Sequence, residues 1–429
     1  MYAFAIAILL PLDWFAPTGH LLHEFGAKPA TALLTLGGMA GFALLPPRRL
    51  SPSLIERSAV LFFAAWLALG FTAALLNFIM GWSTWNDLRT PVTQLVNQSS
   101  LVVCCAIAII GNARLARAHP IAELLGRYVP LATVFQLTIF ALEAFGALSS
   151  SSLPLSLFRA VEREGFNRPS GLFSEPSYFG TFAALYGSSL LCLPARGTKR
   201  LAYIALAATL YVSSVLIGAK TFVVVIAMQV AYFVSRWARS LGTRAAAFGL
   251  IGAVAACAVF FIQRYSALNV QSNLSSAERL GSSLLATNVA ARGYSLPGIG
   301  FGQFHFFYRD EFAPAFLYLS SEASLQLTPD APNRASTYNF YLRVLLETGA
   351  AGAILLVVAL RRLWRVALPD EHSYVEMLFA GALGFLFTQD TYFYPPLVVA
   401  TALIMAAAPR ASERGARSEA PTGHRMAGA

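Results

Sequence analysis

A polar stretch between two long apolar runs carries the residues best suited to binding an anion. It reads Arg168-Pro-Ser-Gly-Leu-Phe-Ser-Glu-Pro-Ser-Tyr-Phe-Gly180, and two more arginines, Arg159 and Arg163, precede it. Ser174 is suited to an N-cap and Pro176 to the first turn of a helix. The free amides at a helix start, together with guanidinium groups, form a binding site for anions. The stretch therefore predicts anion binding, and phosphate above all.

The three arginines differ in how strongly they indicate a ligand. Arg159 and Arg163 are four residues apart, so they share a face if the segment is helical. They could equally pair with Glu162 and Glu164 and anchor the loop at the lipid headgroups, since surface ion pairs are common and weak. Arg168 lies beside the Ser-Gly turn and the helix start, and it is the better candidate for binding an anion.

Lys220 is one of only three lysines and falls in a tight turn between two apolar runs. A cation in such a turn either extends to the membrane interface or points into a cavity shared with the polar loops. The sequence leaves both interpretations open.

A second polar region follows residue 262. Ser275-x-x-Glu278 is a capping box, and apolar residues follow it at helical spacing, so an amphipathic helix is predicted to begin here. Arg279 falls in its first turn, where the helix dipole disfavours a cation, and this indicates a partner anion. Gly298-x-Gly300-x-Gly302 is interpreted as a turn, because a nucleotide fingerprint needs a βαβ unit. The aromatic run 304–308, which includes His305, either stacks on sugars or belongs to an interfacial belt.

Three polar residues share one stripe of a predicted membrane helix. Asn339, Arg343 and Glu347 are spaced by four, and charges within a spanning helix normally face a cavity or a partner. The alternative is a purely internal Arg343–Glu347 pair. Gln136 and Glu143, in an earlier apolar run, are predicted to line the same interior.

Composition restricts the protein to a membrane class. Of 429 residues, 57% are hydrophobic and 12% are charged, with a mean hydropathy of +0.60, whereas soluble domains carry about 25% charged residues. The net charge of +10 is explained by membrane topology, so a nucleic-acid partner is not expected. The four cysteines lie in apolar runs and are interpreted as core residues. No metal-ligand spacing and no Ser–His or Cys–His nucleophile pattern occurs, so neither a metal nor another cofactor is predicted.

Apolar runs of about 20 residues predict an all-α, polytopic transmembrane bundle of about twelve spans. No basic segment precedes the first run, so it is interpreted as an uncleaved span. Residues 1–409 form one predicted transmembrane domain with outer loops 149–175 and 263–336, and residues 410–429 a disordered cytoplasmic tail. The predicted spans are 2–15, 29–45, 59–80, 92–111, 129–148, 176–193, 201–217, 221–234, 245–262, 337–360, 375–388 and 392–408.

The arginines test this count of spans. With the N-terminus inside, every arginine cluster from Arg48 to Arg365 falls on one face, and the short opposite loops hold only Lys28, Arg89 and Lys220. That is the positive-inside pattern, which places both termini in the cytoplasm. The two large outer loops contain arginines despite the rule, so these arginines need another explanation.

Three landmarks, taken in order, resemble the O-antigen polymerase and ligase superfamily, the Wzy-type membrane glycosyltransferases. The first is Ser170-Gly-Leu-Phe-Ser-Glu-Pro-Ser177, which opens a span. The second is Arg279 followed by Pro297-Gly-Ile-Gly300-x-Gly in a large loop. The third is Asn339-Phe-Tyr-Leu with Leu346-Glu-Thr-Gly349 in the next span. The resemblance covers roughly residues 159 to 360.

The resemblance implies a site on the periplasmic face that uses sugar donors linked to undecaprenyl pyrophosphate, without a metal. It implies that Arg168 and Arg279 hold the pyrophosphate. The predicted pyrophosphate-binding residues also include Arg159, Arg163 and Lys220. Lys220 stands where the family usually has arginine, and a lysine keeps the charge but loses the bidentate fork.

The resemblance also bears on the base that activates the acceptor. Asn339 stands where ligases place a histidine that acts as this base, which favours a polymerase. The base stays unidentified, with Glu175, Glu347 and His305 as candidates.

The predicted function is polymerisation of undecaprenyl-pyrophosphate-linked oligosaccharide repeat units for O-antigen, capsule or exopolysaccharide. The predicted site comprises Arg279, Asn339 and Glu347 as catalytic residues, and the predicted partners are the lipid-linked oligosaccharide, the bilayer and a chain-length regulator. One alternative is a ligase that moves the glycan to a lipid or protein acceptor. The other is a non-enzymatic flippase, although transporters usually show internal repeats and broken helices at the midplane.

Overall fold

Twelve α-helices make up most of the part of the chain that the computed structural model describes. It describes residues 1–13, 28–45, 54–82, 89–148, 152, 155, 157, 169–173, 175–237, 274–304, 306–307, 337–366 and 368–418. The helices are α1 Tyr2–Leu9, α2 Pro29–Leu44, α3 Leu54–Met80, α4 Arg89–Ala118, α5 Ile121–Ala144, α6 Pro176–Cys192, α7 Gly197–Leu216, α8 Lys220–Trp237, α9 Leu274–Val289, α10 Phe340–Trp364, α11 Ser373–Phe385 and α12 Pro395–Ser418.

The all-α prediction is confirmed, and eleven of the twelve predicted spans coincide with helices. The remaining one, 245–262, lies outside the described residues. Five helices are long and apolar enough to cross a membrane: α3, α4, α5, α7 and α10. Their length and composition are those of a multi-pass membrane protein.

The two largest differences between predicted and observed boundaries are at the start of α5 and the end of α12. α5 begins at Ile121 rather than 129 and runs through Pro130, which removes one helical hydrogen bond without ending the helix. α12 continues to Ser418, whereas the sequence predicted a disordered tail from residue 410. Alanine, arginine and glutamate in this segment favour helix. Residues 419–429 lie outside the described residues.

The arginine-rich helix ends gather at one end of the bundle, which we call the basic end. Arg114 and Arg117 at the end of α4 both bind Glu56 at the start of α3. Arg236 at the end of α8 binds Glu376 near the start of α11, with 2.8 Å between nitrogen and oxygen. Further contacts at this end join Ser373 to Cys192, Tyr374 to Ala122 and Arg200 to Leu191.

The other helix ends meet at the opposite end of the bundle. Thr221 Oγ1, at the start of α8, donates to the carbonyl of Ser177 at the start of α6 at 2.5 Å. Phe340 N, at the start of α10, donates to the carbonyl of Leu386 at the end of α11 at 2.9 Å. The Lys28 ammonium before α2 lies 5.8 Å from the centroid of the Tyr394 ring before α12. Helices α1 to α8 therefore run alternately between the two ends, as the charge pattern predicted.

The helix predicted from the capping box is confirmed as α9. Its buried residues Leu285 and Val289 pack with Ile299 and with Leu346 of α10. A short π-helical turn, Ala290–Tyr294, then leads into the glycine-rich segment 296–302. α9 thus holds this segment against α10, where the polar stripe lies.

Candidate functional site

The first turn of α10 begins at Asn339, which is its N-cap. The backbone of Asn339 is extended, and its Oδ1 accepts a hydrogen bond from the amide of Leu342 at 3.1 Å. This satisfies one of the free amides that every helix start leaves. The structure thus gives Asn339, predicted to be catalytic, a capping role.

Ten residues into α10, the helix is broken at Gly349. Its φ of 71° and ψ of −177° are not helical, and such a positive φ strongly favours glycine. A Cβ at this position would lie 2.7 Å from the carbonyl oxygen of Leu296. The break therefore depends on a residue without a side chain.

The backbone of the glycine-rich segment 296–302 forms hydrogen bonds with the backbone of α10 at the break. Ile299 N donates to the carbonyl of Leu346 at 2.8 Å, and Gly300 N donates to that of Glu347 at 3.0 Å. In return, Ala350 N donates to the carbonyl of Leu296 at 3.3 Å. The turn predicted at Gly298–Gly302 is confirmed, and it supplies the hydrogen bonds that the broken helix lacks.

Glu347 is the buried centre of the polar cluster. Its side chain is 1% exposed, and Oε1 accepts from Arg343 Nε at 3.1 Å and from Gly302 N at 3.0 Å. Oε2 accepts from the Tyr392 hydroxyl. Both carboxylate oxygens of Glu347 therefore accept hydrogen bonds from the protein itself. This geometry favours a positioning role for Glu347 over the catalytic role predicted from the sequence.

Arg343 joins Glu347 to the connection between α11 and α12. Its Nη1 donates to the backbone carbonyl of Asp390 at 2.6 Å and lies 3.9 Å from Asp390 Oδ2. The guanidinium carbon is 4.6 Å from the centroid of the Tyr392 ring. The internal Arg343–Glu347 pair that the sequence offered as an alternative is present, and it belongs to a larger cluster.

Tyr392 lies between the polar cluster and a group of buried aromatic rings. The phenol of Tyr392 is protonated at neutral pH and donates a hydrogen bond to Glu347 Oε2. Its ring packs edge-on against Trp66, Phe301 and Phe340, with centroids 5.4 to 5.9 Å apart. The cluster is thus apolar on one side and reaches solvent through Arg343 and Asp390, whose side chains are 13% and 15% exposed.

At the loop before α6, the structure differs from the prediction in the placement of Glu143 and in the N-cap of the helix. The amides of Ser170 and Gly171 donate to Glu143 Oε2 at 2.9 and 2.7 Å, so a carboxylate of α5 occupies these donors. Glu143 was instead predicted to line the interior beside α10. The N-cap of α6 is Glu175 rather than Ser174, because Pro176 is the first helical residue.

The predicted pyrophosphate-binding residues are only partly described. Arg159, Arg163, Arg168 and His305 lie outside the described residues, and for Arg279 only its place in α9 is described. Lys220 is the first residue of α8 and is exposed at the opposite end of the bundle. Of the predicted site residues, the structure places Asn339 and Glu347 in the first turns of α10, with Arg343 of the same stripe between them.

Gln136 is fully buried in α5, and neither of its amide atoms has a hydrogen-bond partner among the residues that the structure describes. No group of three or more His, Cys, Asp or Glu side chains in the described residues has the geometry of a metal site.

Sequence reasoning missed Asp390, Tyr392 and Thr337. One signal was available for Asp390, because it is an acidic residue in the short connection between two apolar runs.

A cavity of about 260 Å³ opens at the basic end of the bundle. Arg117, His119, Glu123 and His372 line it together with apolar residues of α12. We favour the α10 cluster as the functional site, because Glu56 already binds Arg117 at 2.9 Å and Glu123 adds an opposing charge to the cavity.

Compared with known proteins, the chain matches no family model, and no curated protein sequence is significantly similar to it. The functional argument therefore depends on the geometry of the α10 cluster and on the resemblance in the motifs. A carboxylate, a guanidinium and a phenol in one partly exposed cluster are groups able to bind a polar substrate and move protons.

Proposed function

We propose that the protein is a membrane glycosyltransferase that polymerises oligosaccharide repeat units linked to undecaprenyl pyrophosphate. The reaction would take place at the opposite end of the bundle, on the periplasmic face of a bacterial inner membrane. The growing glycan would be transferred from its lipid carrier to a sugar hydroxyl of the next lipid-linked unit. A chain-length regulator is a proposed partner.

The observation that carries this proposal is the α10 cluster at the end away from the arginine-rich helix ends. The positive-inside rule assigns the arginine-rich end to the cytoplasm, so the cluster would face outwards. Two of the three motif landmarks, Gly298–Gly302 and Leu346–Gly349, meet in the hydrogen bonds of the broken helix. That contact supports a shared role for motifs that lie far apart in the sequence.

The chemistry of the proposed reaction suits this arrangement. Departure of a lipid pyrophosphate develops negative charge, which fixed cations and amides stabilise. Arg343 is held from one side by Glu347 and from the other by Asp390, so it is preorganised rather than mobile. Arg168, Arg279 and Lys220 would add positive charge around the departing pyrophosphate.

The proposal is tested in cells that lack the gene and carry either the wild-type copy or the Arg343→Ala variant. Membrane levels of both proteins are first matched by immunoblot, and surface glycan is then resolved by gel electrophoresis. We expect a ladder with the wild type and single repeat units with Arg343→Ala.

Other outcomes separate the competing functions. Full-length glycan that stays on the lipid carrier would indicate a ligase. Loss of all surface glycan, single units included, would indicate a flippase. An unchanged ladder in the gene-deletion strain would overturn the proposed function.

A further inference from the structure

Asp390 presents one carboxylate oxygen that the described part of the chain leaves unused. Oδ2 accepts hydrogen bonds from Thr337 N at 2.8 Å and from Thr337 Oγ1 at 3.1 Å, and Arg343 Nη1 lies 3.9 Å from the same oxygen. Within the described part of the chain, no hydrogen bond or ion pair uses Oδ1. The side chain is 15% exposed, so a substrate hydroxyl is able to reach it.

The other polar groups of the cluster are committed or chemically unsuited to accept a proton. Glu347 is 1% exposed and uses both oxygens. Asn339 caps α10 through its Oδ1, and a carboxamide is not a useful base. Tyr392 keeps its own proton, and Arg343 is a permanent cation.

We propose that Asp390 is the general base that activates the acceptor hydroxyl, an assignment that rests on the proposed function. Oδ1 takes the proton while the hydroxyl oxygen forms a bond to the anomeric carbon of the donor sugar. The bond between that carbon and the pyrophosphate oxygen breaks, and its electron pair leaves with the lipid pyrophosphate. The proton then passes from Asp390 to solvent, which restores the carboxylate.

The position of Asp390 fits this role because the site fixes its orientation. Thr337 directs Oδ2 towards the start of α10, and the backbone carbonyl of Asp390 is held by Arg343 at 2.6 Å. The carboxylate is therefore preorganised beside the cation assigned to the departing phosphate. A general base must lie within hydrogen-bond reach of the hydroxyl it deprotonates, and Oδ1 is the oxygen available for that bond.

The test uses purified full-length protein in liposomes with a lipid-pyrophosphate-linked oligosaccharide as donor and acceptor. Asp390→Asn preserves the shape of the side chain, and the exposed Asp370→Asn at the basic end is the matched control. Loss of a general base typically costs about 10²- to 10⁴-fold. We expect a fall of that size in kcat for Asp390→Asn, unchanged binding of the lipid pyrophosphate, and wild-type kinetics for Asp370→Asn.

A second variant separates catalysis from structure. Asp390→Ala leaves space beside Thr337, and added formate would supply a replacement base, so formate should restore part of the activity in a concentration-dependent way. Activity of Asp390→Asn within about threefold of wild type, far below the loss expected for a base, would overturn the assignment. So would an Asp390→Ala variant that formate does not rescue. Wild-type protein that makes no polymer would overturn the proposed function itself, so the two failures are distinguishable.

Discussion

Both ends of the bundle bury ion pairs, but they use them differently. At the basic end, Arg114 and Arg117 occupy the two oxygens of Glu56 and join the helices α3 and α4. At the opposite end, Glu347 and Arg343 form a pair within one helix, and Arg343 continues to Asp390, which keeps one oxygen unused by the described residues. The arginines of the basic end therefore serve membrane topology and helix packing. The candidate chemistry depends instead on one arginine of the described residues, Arg343, beside the break in α10.

The largest effect is expected from a side chain at Gly349, where α10 is broken. Gly349→Ala places a Cβ 2.7 Å from the Leu296 carbonyl at a φ of 71°. A strained backbone of this kind costs about 1–3 kcal/mol before any clash is counted. We expect no measurable polymerisation and a clearly lower Tm. The Tm is measured from the change in fluorescence as the protein unfolds in detergent.

The matched control for this variant is Gly197→Ala at the basic end. Gly197 also has a positive φ, 54°, but no atom lies within 4 Å of its added Cβ. It should lose stability through backbone strain alone and keep its activity once folded. Equal losses in the two variants would mean that the contact between α10 and segment 296–302 has no special importance.

Arg279→Ala is expected to have the next largest effect, because the resemblance assigns this arginine to the pyrophosphate. Removal of one group that stabilises developing charge typically costs about 10²- to 10³-fold in rate. The surface glycan should collapse to single repeat units at matched expression. Arg236→Ala, which breaks the pair with Glu376 at the basic end, should leave the ladder intact. A full ladder with Arg279→Ala would remove this residue from the mechanism.

Glu347→Gln and Glu56→Gln compare the two buried pairs directly. Each removes a charge that two or more donors bind, and each should lower the free energy of unfolding by about 1–3 kcal/mol. Only Glu347→Gln should slow polymerisation, by roughly 10- to 100-fold, since it releases Arg343 as loss of a supporting group does in other sites. A matching loss of activity in Glu56→Gln would contradict the distinction between the two ends.

Tyr392→Phe should have the smallest effect on activity of the series. It removes the hydroxyl that donates to Glu347 but keeps the ring against Trp66. Loss of one hydrogen bond to a buried charge is worth about 1.5–3 kcal/mol in stability. We expect a lower Tm and a fall in kcat of less than about tenfold, since Arg343 and Gly302 still bind Glu347. A complete loss of activity would instead place the phenol in the chemistry.

Features set by short sequence windows were predictable. Apolar runs predicted the helices, the capping box predicted α9, and spacing by four predicted that Arg343 and Glu347 meet. Charge asymmetry predicted the gathering of the arginines at one end. Each of these signals lies within a short stretch of sequence. Each depends on whether side chains prefer water or an apolar environment, or on the 3.6-residue period of the helix.

Features set by distant contacts were not predictable. The break at Gly349 forms only because segment 296–302 offers its amides, and Gly302 and Glu347 are 45 residues apart. The role of Asp390 depends on Thr337, 53 residues away in the sequence. Glu143 was predicted to line the interior beside α10, but it binds the amides of Ser170 and Gly171 instead. Sequence spacing identifies donors and acceptors, whereas pairing between them is a property of the tertiary fold.

The break in α10 also has a consequence for the order in which the protein is synthesised. Segment 296–302 is translated before the carbonyls of Leu346 and Glu347 that it binds. At about 5–20 residues per second, a ribosome needs several seconds to add the intervening residues. During that time the amides of Ile299 and Gly300 lack the carbonyls that they bind in the folded protein. The hydrogen bonds at the break in α10 therefore form only after the first turns of α10 have been synthesised.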